Sequence, residues 1–177
     1  MKKYSYLLKI ALFELFLIVF DQLSKYWATN FLKGKNDFEI IKDVLCFHYL
    51  DGGNTGAAWG MLSGKIVLFI LFTLLAIIII CKFMCNIYQL MKQKDKYAIR
   101  FLNISMALLM AGAIGNLIDR IVHHYVIDFI YFKLINFPIF NVADCYVTVS
   151  CICIIIICAF KIDEEEFNYI ISFKNKK

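Results

Sequence analysis

The sequence predicts an all-α integral membrane protein with four transmembrane helices and a small extramembrane β-containing region on the outer face. Hydrophobic residues make up 62% of the 177 residues, and the mean hydropathy of +0.71 is high for a soluble domain of this length. Four apolar segments are long enough to cross the roughly 30 Å hydrocarbon core of a bilayer. They are roughly 4–26, 66–90, 98–118 and 142–160, and we expect residues 1–177 to form a single integral membrane domain.

The first apolar segment has one feature of a cleavable signal sequence, because Lys2, Lys3 and Lys9 precede the run IALFELFLIVF. However, the stretch DQLSKYWATN stands where a small-residue cleavage site would be needed, and three more apolar segments follow. We therefore expect this segment to remain in the protein as a transmembrane helix.

The distribution of basic residues predicts the orientation in the membrane. Most of the 19 lysines and arginines lie at the N-terminus, in the loop after the second segment and in the C-terminal tail. Because cytoplasmic loops carry an excess of positive charge, both termini are expected in the cytoplasm and the long loops 27–65 and 119–141 outside. In the first of these loops, DFEIIKDVLCFHYL has patches typical of short β-strands. The tail KIDEEEFNYIISFKNKK is expected to be a solvated end.

The composition also excludes several kinds of partner and cofactor. The net charge of +5 is modest, and no basic cluster alternates with stacking aromatic residues, so no nucleic-acid partner is expected. Six of the seven cysteines lie in or beside apolar segments, and we interpret them as packing residues rather than disulfides or metal ligands. The chain has no HExxH pattern. We expect no metal and no cofactor.

The predicted topology brings polar residues from three apolar segments to one end of the bundle, at the outer leaflet. They are Asp21 and Lys25, then Asn116, Asp119 and Arg120, then Asn141 and Asp144. Asp21 and Lys25 have the spacing of an intrahelical ion pair. Asp119 adjoins Arg120 in sequence and is expected to position its guanidinium. Asn54 lies in the glycine-containing stretch GGNTGAAWG, which indicates either a turn that allows close approach of a ligand or a plain loop.

Asp128 and Asp144 have apolar neighbours in sequence and no adjacent basic residue. Desolvation would raise the pKa of Asp128, so that this carboxyl could hold a proton. Two such carboxyls at a membrane surface would share one proton. One could then take a proton from water while the other polarises an amide carbonyl.

Three functions remain open from these residues alone. Aspartic hydrolysis needs such a pair of acids, and proton or ion translocation also uses paired intramembrane acids. A structural role in a membrane assembly is the third possibility.

Five blocks occur in order along the chain: DQLSK, NTGAAWG, GAIGNLIDR, VIDF and FNVAD. Together they resemble the bacterial lipoprotein signal peptidase family, also called signal peptidase II. The resemblance extends from Asp21 to Asp144. One departure is AGAIGN, where the family usually has two adjacent glycines and this chain has Ala111, for which we expect a local packing adjustment.

The resemblance implies an aspartic endopeptidase of the bacterial cytoplasmic membrane. Such an enzyme cuts lipid-modified prolipoproteins before the diacylglyceryl-cysteine, so its partners are these substrates and membrane lipids. The implied catalytic residues are Asp128 and Asp144. The residues implied to bind or orient the substrate are Asn54, Gly56, Asn116, Arg120 and Asn141. Structural support is implied for Asp21, Lys25 and Asp119.

Overall fold

The computed structural model describes residues 2–56, 65–94 and 96–173. This part of the chain contains five α-helices and three short strands. The helices are α1 Lys2–Phe31, α2 Ile66–Gln93, α3 Tyr97–Val122, α4 Val142–Phe160 and α5 Glu164–Ile171. The strands are β1 Phe38–Ile41, β2 Leu45–Phe47 and β3 Ile130–Phe132.

The protein is a mostly helical membrane protein. Among the described helices, α2, α3 and α4 are long and apolar enough to cross a membrane. Helix α1 has 30 residues, but the charged residues Lys9, Glu14, Asp21 and Lys25 interrupt its apolar sequence. The four long helices fall on the four predicted segments, with ends that differ by a few residues.

Helix α3 occupies the middle of the bundle and packs against α1, α2 and α4. Two glycines allow the closest approaches. A Cβ atom at Gly112 would lie 2.7 Å from the carbonyl oxygen of Ala143, and one at Gly115 would lie 2.6 Å from Oδ2 of Asp21. Side chains at these positions would therefore push α4 or α1 away from α3.

The three strands form an antiparallel sheet in the order β1-β2-β3. The first two strands lie in the stretch that the sequence predicts to be β, whereas β3 is not predicted. A hydrophobic cluster packs the sheet against the end of α1. It consists of Ala28, Leu32, Tyr49, Ile127 and Phe129. The sheet therefore covers the end of the bundle where the predicted site residues lie.

The prediction of a solvated tail is wrong for residues 164–171. These residues form α5, which packs against α2. Ile170 joins the apolar cluster between α2 and α3, and the side chain of Glu166 is buried. The many charged residues of this segment lower its average hydropathy, although one face of the helix is buried.

Candidate active site

A buried ion-pair cluster connects α1 with α3. The ammonium of Lys25 lies 2.8 Å from Oδ2 of Asp21, in the predicted spacing of four residues, and 3.0 Å from Oδ2 of Asp119. It also donates to Oδ1 of Asn116 at 2.9 Å. All three charged side chains are almost fully buried. Each therefore depends on the others, since an unpaired charge at such a position would be strongly destabilising.

The same cluster also fixes the start of α4. Oδ1 of Asp21 accepts a hydrogen bond of 2.9 Å from the backbone N–H of Ala143. This N–H lies in the first turn of α4, where backbone donors have no intrahelical acceptor. The contact places the N-terminus of α4 against the C-terminal part of α1, which itself pairs with α3.

The expected partnership between Asp119 and Arg120 is wrong. The carboxylate of Asp119 accepts from Nε2 of Gln22 at 3.1 Å and from the backbone N–H of Ile127 at 3.1 Å, besides pairing with Lys25. Side chains of successive helical residues do not face each other. Asp119 therefore stabilises the bundle and the start of the loop after α3, rather than the guanidinium of Arg120.

The carboxyl of Asp128 is buried in the loop that follows α3. It accepts hydrogen bonds from Nδ2 of Asn54 at 2.9 Å and from Nδ2 of Asn141 at 2.6 Å. Burial raises the pKa of Asp128 to about 7, with a further increase from the charge of Asp144, although the two amides and Lys25 oppose the shift. Such a carboxyl changes its protonation state near neutral pH, which suits acid–base chemistry.

Backbone pairing holds Asn54 and Asp128 in place. Asn54 and Val126 exchange two backbone hydrogen bonds of 2.9 Å, and the backbone N–H of Leu50 donates to the carbonyl of Asp128 at 3.1 Å. Oδ1 of Asn54 accepts from the backbone N–H of Gly56 at 3.0 Å. This contact orients the amide so that its Nδ2 points to Asp128. The remainder of the NTGAAWG block, residues 57–60, lies outside the described residues.

Asp144 lies in the first turn of α4 and forms a capping box with Asn141. The backbone N–H of Asn141 donates to Oδ2 of Asp144 at 3.1 Å, and the backbone N–H of Asp144 donates to Oδ1 of Asn141 at 3.0 Å. Oδ1 of Asp144 accepts from Nδ2 of Asn116 at 2.8 Å. The sequence predicts no adjacent basic residue for either acid, and in the structure both accept hydrogen bonds from the neutral amides of asparagines.

Asn141 connects the two acids. Its Nδ2 donates to Asp128 at 2.6 Å and to Oδ1 of Asn116 at 3.1 Å, while its main chain and Oδ1 contact Asp144. One fully buried asparagine thus holds one carboxyl through its side chain and the other through the helix cap. This arrangement brings the two acids into one hydrogen-bonded network.

A groove of about 560 Å³ opens beside this network, between α2, α3 and α4. Its polar lining residues are Thr73, Asn116, Arg120 and Asp144, and apolar residues of the three helices form the remainder. Asp128 is not among its lining residues. A mainly apolar groove that ends at a carboxyl fits a ligand with a hydrophobic part and a polar reacting group.

Arg120 is held over an aromatic ring that the sequence analysis did not identify. Its guanidinium lies 5.2 Å from the ring centroid of Phe69 on α2. Its Nη1 donates to the carbonyl of Asn116 at 3.4 Å, and within the described residues its buried Nε has no hydrogen-bond partner. Because Arg120 lines the groove and its Nη1 makes only one long hydrogen bond, the end of the guanidinium keeps donor capacity for a ligand there. Phe69 could not have been found from the sequence, because a cation–π contact between distant residues leaves no local sequence pattern.

Among the described residues, no group of three or more His, Cys, Asp or Glu side chains has an arrangement that could hold a metal ion.

Comparison with known proteins identifies the family. The family model for signal peptidase (SPase) II matches residues 13–160. The lipoprotein signal peptidase of Clostridium novyi (strain NT) is 40% identical over 141 residues, which cover 78% of this chain and 88% of that protein. The lipoprotein signal peptidase of Staphylococcus aureus (strain bovine RF122 / ET3-1) is 37% identical over 147 residues, covering 82% and 84%.

Solved structures agree. A bacterial membrane enzyme determined at 2.3 Å resolution superposes with a TM-score of 0.69 at 32% identity, covering 96% of this chain and 93% of that one. A second, determined at 1.9 Å resolution, has a TM-score of 0.68 at 36% identity and covers 86% and 93%. With most of its length matched by the family model and by relatives of this similarity, the chain belongs to the signal peptidase II family of membrane peptidases.

Proposed function

We propose that this protein removes the signal peptide from lipid-modified prolipoproteins, with Asp128 and Asp144 as its catalytic pair. It cuts before the diacylglyceryl-cysteine. The assignment of the pair rests on the position of Asn141. Its side-chain amide donates to the carboxyl of Asp128, and its backbone N–H donates to the carboxyl of Asp144. Asn54 and Asn116 each add one amide donor, to Asp128 and Asp144 respectively.

The pair acts by general acid–base catalysis on a water molecule. With one proton shared between the two acids, the ionised carboxylate takes a proton from water, and the water oxygen attacks the carbonyl carbon of the scissile amide. The protonated carboxyl donates to the carbonyl oxygen. The C–N bond then breaks, and the nitrogen of the leaving cysteine receives a proton from the acid that took it from water. As the C=O bond re-forms, the other acid takes back the proton that it donated to the oxygen, which restores the shared proton.

The groove accounts for the lipid requirement. Its apolar walls between α2, α3 and α4 fit acyl chains, and its polar end lies at Asn116, Arg120 and Asp144. The guanidinium of Arg120, which lines the groove, can donate to a substrate carbonyl or to the ester of the lipid. Substrate binding therefore places the amide after the signal peptide beside the two acids. Gly56 supports this region by fixing the amide of Asn54.

The protein sits in the bacterial cytoplasmic membrane as a single domain over residues 1–177, with α1 as a fourth transmembrane helix. An α-helix of 30 residues spans about 45 Å, and the charges of Asp21 and Lys25 on this helix are neutralised within the bundle. The basic residues favour cytoplasmic termini. This orientation puts the acids and the sheet at the outer leaflet. Nucleic acid has no role in this function.

The test is incubation of the purified protein in detergent or liposomes with two prolipoprotein peptides that differ only in lipidation. We expect cleavage of the lipidated peptide before its modified cysteine and little cleavage of the other, because acyl chains supply the binding in the groove. Equal cleavage of both peptides would refute the lipid requirement. Proton or ion flux through sealed vesicles, with no peptide product, would instead support translocation by the paired acids.

A further inference from the structure

Asn116 lies between the buried ion-pair cluster and the two acids. Its Oδ1 accepts hydrogen bonds from the ammonium of Lys25 at 2.9 Å and from Nδ2 of Asn141 at 3.1 Å. Its Nδ2 donates to Oδ1 of Asp144 at 2.8 Å. This one amide therefore has the charged group of α1 on its acceptor side and the carboxyl of Asp144 on its donor side.

The ammonium of Lys25 determines which way this amide faces. An ammonium has three donors and no acceptor, so only the oxygen of the Asn116 amide can be turned toward it. With the oxygen in that place, the NH2 group of the amide faces Asp144. The reversed amide would put its donors against the ammonium and its oxygen against the carboxyl, so both hydrogen bonds would be lost.

Lys25 is the stronger of the two donors to Oδ1 of Asn116. Its hydrogen bond is shorter than that from Asn141 and carries a positive charge, and charge-assisted hydrogen bonds are roughly twice as strong as neutral ones. The side chain of Lys25 is 1% exposed, so water does not screen the contact. A charge on the oxygen of an amide also polarises its N–H groups, which strengthens the hydrogen bond from Asn116 to Asp144.

The neighbouring Asn141 is oriented in a different way. Its Oδ1 accepts from the backbone N–H of Asp144 in the cap of α4, and a backbone N–H can only donate. The direction of the Asn141 amide thus follows from the first turn of α4, whereas that of the Asn116 amide depends on a side chain from another helix. Replacing Lys25 should therefore weaken the orientation of Asn116 and leave the cap of α4 unchanged.

We propose that Lys25 is a positioning residue of the reaction, because it directs the donor of Asn116 to Asp144 and thereby favours the ionised form of this acid. A hydrogen bond donated to a carboxyl favours its charged form, and the ionised carboxylate is the form that takes a proton from water. This role rests on the proposed function, in which Asp144 is one of the two catalytic acids. It comes in addition to the structural support that the family resemblance implies for Lys25.

Other charges near Asp144 decide how the role of Lys25 has to be tested. The titratable groups around this acid are Asp21 and Lys25 of α1, Asp119 and Arg120 of α3, Asp128 of the loop and Cys145 of α4. The residues of α2 that line the groove are uncharged. Because positive charges favour an ionised carboxyl and negative charges oppose it, the test has to leave the net charge of these groups unchanged.

The test variant is Lys25→Met/Asp119→Asn, which removes one positive and one negative charge together. Methionine keeps the length of the buried side chain without a donor, and Asp21 keeps its other hydrogen bonds. The matched control is Lys25→Arg, which has the same net charge as the wild type and the test variant. A guanidinium only donates, so it also requires the oxygen of Asn116 to face it.

The titration of Asp144 is followed by carbon NMR of the protein in detergent micelles, with aspartate labelled at the side-chain carboxyl. Loss of one resonance in Asp144→Asn identifies the signal, and circular dichroism checks the fold of each variant. We expect the midpoint of this titration to move upward by about one pH unit in the test variant and to stay near the wild-type value in Lys25→Arg. The acid limb of kcat/KM for a lipidated peptide should move in the same direction, with about tenfold lower kcat/KM below it.

An unchanged midpoint in the folded test variant would overturn the proposal, as would an equal shift in Lys25→Arg, which would reflect disturbed packing. If the test variant does not fold, Lys25→Gln/Asp119→Asn replaces it. Glutamine both donates and accepts, so it no longer imposes one direction on the amide, and a smaller upward shift is expected. No shift in that variant would overturn the proposal as well.

A second comparison separates the orientation of the amide from a direct effect of charge. In an Asn116→Leu background the same two substitutions should leave the midpoint unchanged, because leucine has no amide to orient. A shift of the full size in that background would show that Lys25 acts on Asp144 without Asn116. The NMR titration does not depend on cleavage. If the shift is found but the wild type cuts no lipidated peptide, the proposed function fails while the control of Asp144 by Lys25 stands.

Discussion

Replacing Asp128 by asparagine should change how the stability of the protein depends on pH. The pKa of Asp128 is about 7 in the folded protein and 3.8 for an ordinary aspartate, mainly because the carboxyl is buried. A raised folded pKa gives a contribution to stability that is full below the unfolded pKa and is lost as the pH rises through the folded one. At about 1.4 kcal/mol per pKa unit, the wild-type protein should lose about 3 kcal/mol from this group between about pH 5 and about pH 8.

The asparagine variant has no carboxyl at this position and should not show that loss. Two amides donate to the carboxyl of Asp128, and an asparagine can accept both only at its single oxygen, so the variant also loses part of this bonding. That cost is the same at both pH values. The difference in unfolding free energy between variant and wild type should therefore move by about 3 kcal/mol in favour of the variant on going to the higher pH.

Equilibrium unfolding by sodium dodecyl sulfate in mixed micelles, followed by far-UV circular dichroism, gives both free energies at each pH. The matched control is Asp51→Asn, which changes an exposed carboxyl in the loop between β2 and α2. Titrations of groups that do not interact with Asp128 are common to the variant and the wild type and cancel in the difference. If the free energy of unfolding changed equally in the wild type and in Asp128→Asn between the two pH values, the pKa of Asp128 would not be raised in the folded protein.

Three further substitutions test the support of the site. Asp119→Asn should destabilise the protein by roughly 3 to 5 kcal/mol in the same unfolding assay, because the buried ammonium of Lys25 loses one of its two carboxylates. Gly115→Ala should destabilise by about 1 to 3 kcal/mol, since the added methyl would lie 2.6 Å from a carboxylate oxygen of α1. Phe69→Leu should raise KM for a lipidated peptide several-fold with little change in kcat, because the guanidinium of Arg120 loses its aromatic support, and Phe69→Trp should restore KM.

Each of these predictions has an outcome that would contradict it. If Asp119→Asn had wild-type stability, Asp21 alone would be enough to neutralise the ammonium of Lys25. An unaffected Gly115→Ala protein would show that α1 and α3 are less closely packed than the structure has them. For the aromatic contact, Phe72→Leu is the matched control, since Phe72 also lies on α2 and lines the groove. An equal KM effect of both leucine substitutions would indicate loss of apolar surface rather than of a cation–π contact.

Much of the bundle could be predicted from sequence because its determinants are local. Apolar runs of bilayer length locate the four long helices, and the i,i+4 spacing of Asp21 and Lys25 predicts their ion pair. Apolar neighbours of Asp128 predict a carboxyl that is removed from water, and the structure buries it. These inferences need only the residues within one turn or one segment.

The remainder depends on contacts between distant segments. The partners of Asp119 come from α1 and from the loop after α3, so its sequence neighbour Arg120 gave the wrong partner. The double role of Asn141 requires that the loop after α3 be folded against the start of α4. Strand β3 has only three residues and is specified by pairing with β2 rather than by its own pattern. In α5, Glu166 and the neighbouring acidic residues lower the average hydropathy of the segment, so the average does not reveal the buried face.

The most direct measurement of the central claim is the rate of cleavage of a lipidated prolipoprotein peptide by Asp128→Asn, Asp144→Asn and the double variant. Wild type and Asp51→Asn serve as active controls, and circular dichroism checks the fold of each variant. We predict that each single substitution abolishes cleavage and that the double variant is no worse than either, because two residues that act as one unit lose their effect once. Near-full cleavage by a folded Asp128→Asn or Asp144→Asn protein would contradict the assignment of these two acids as the catalytic pair.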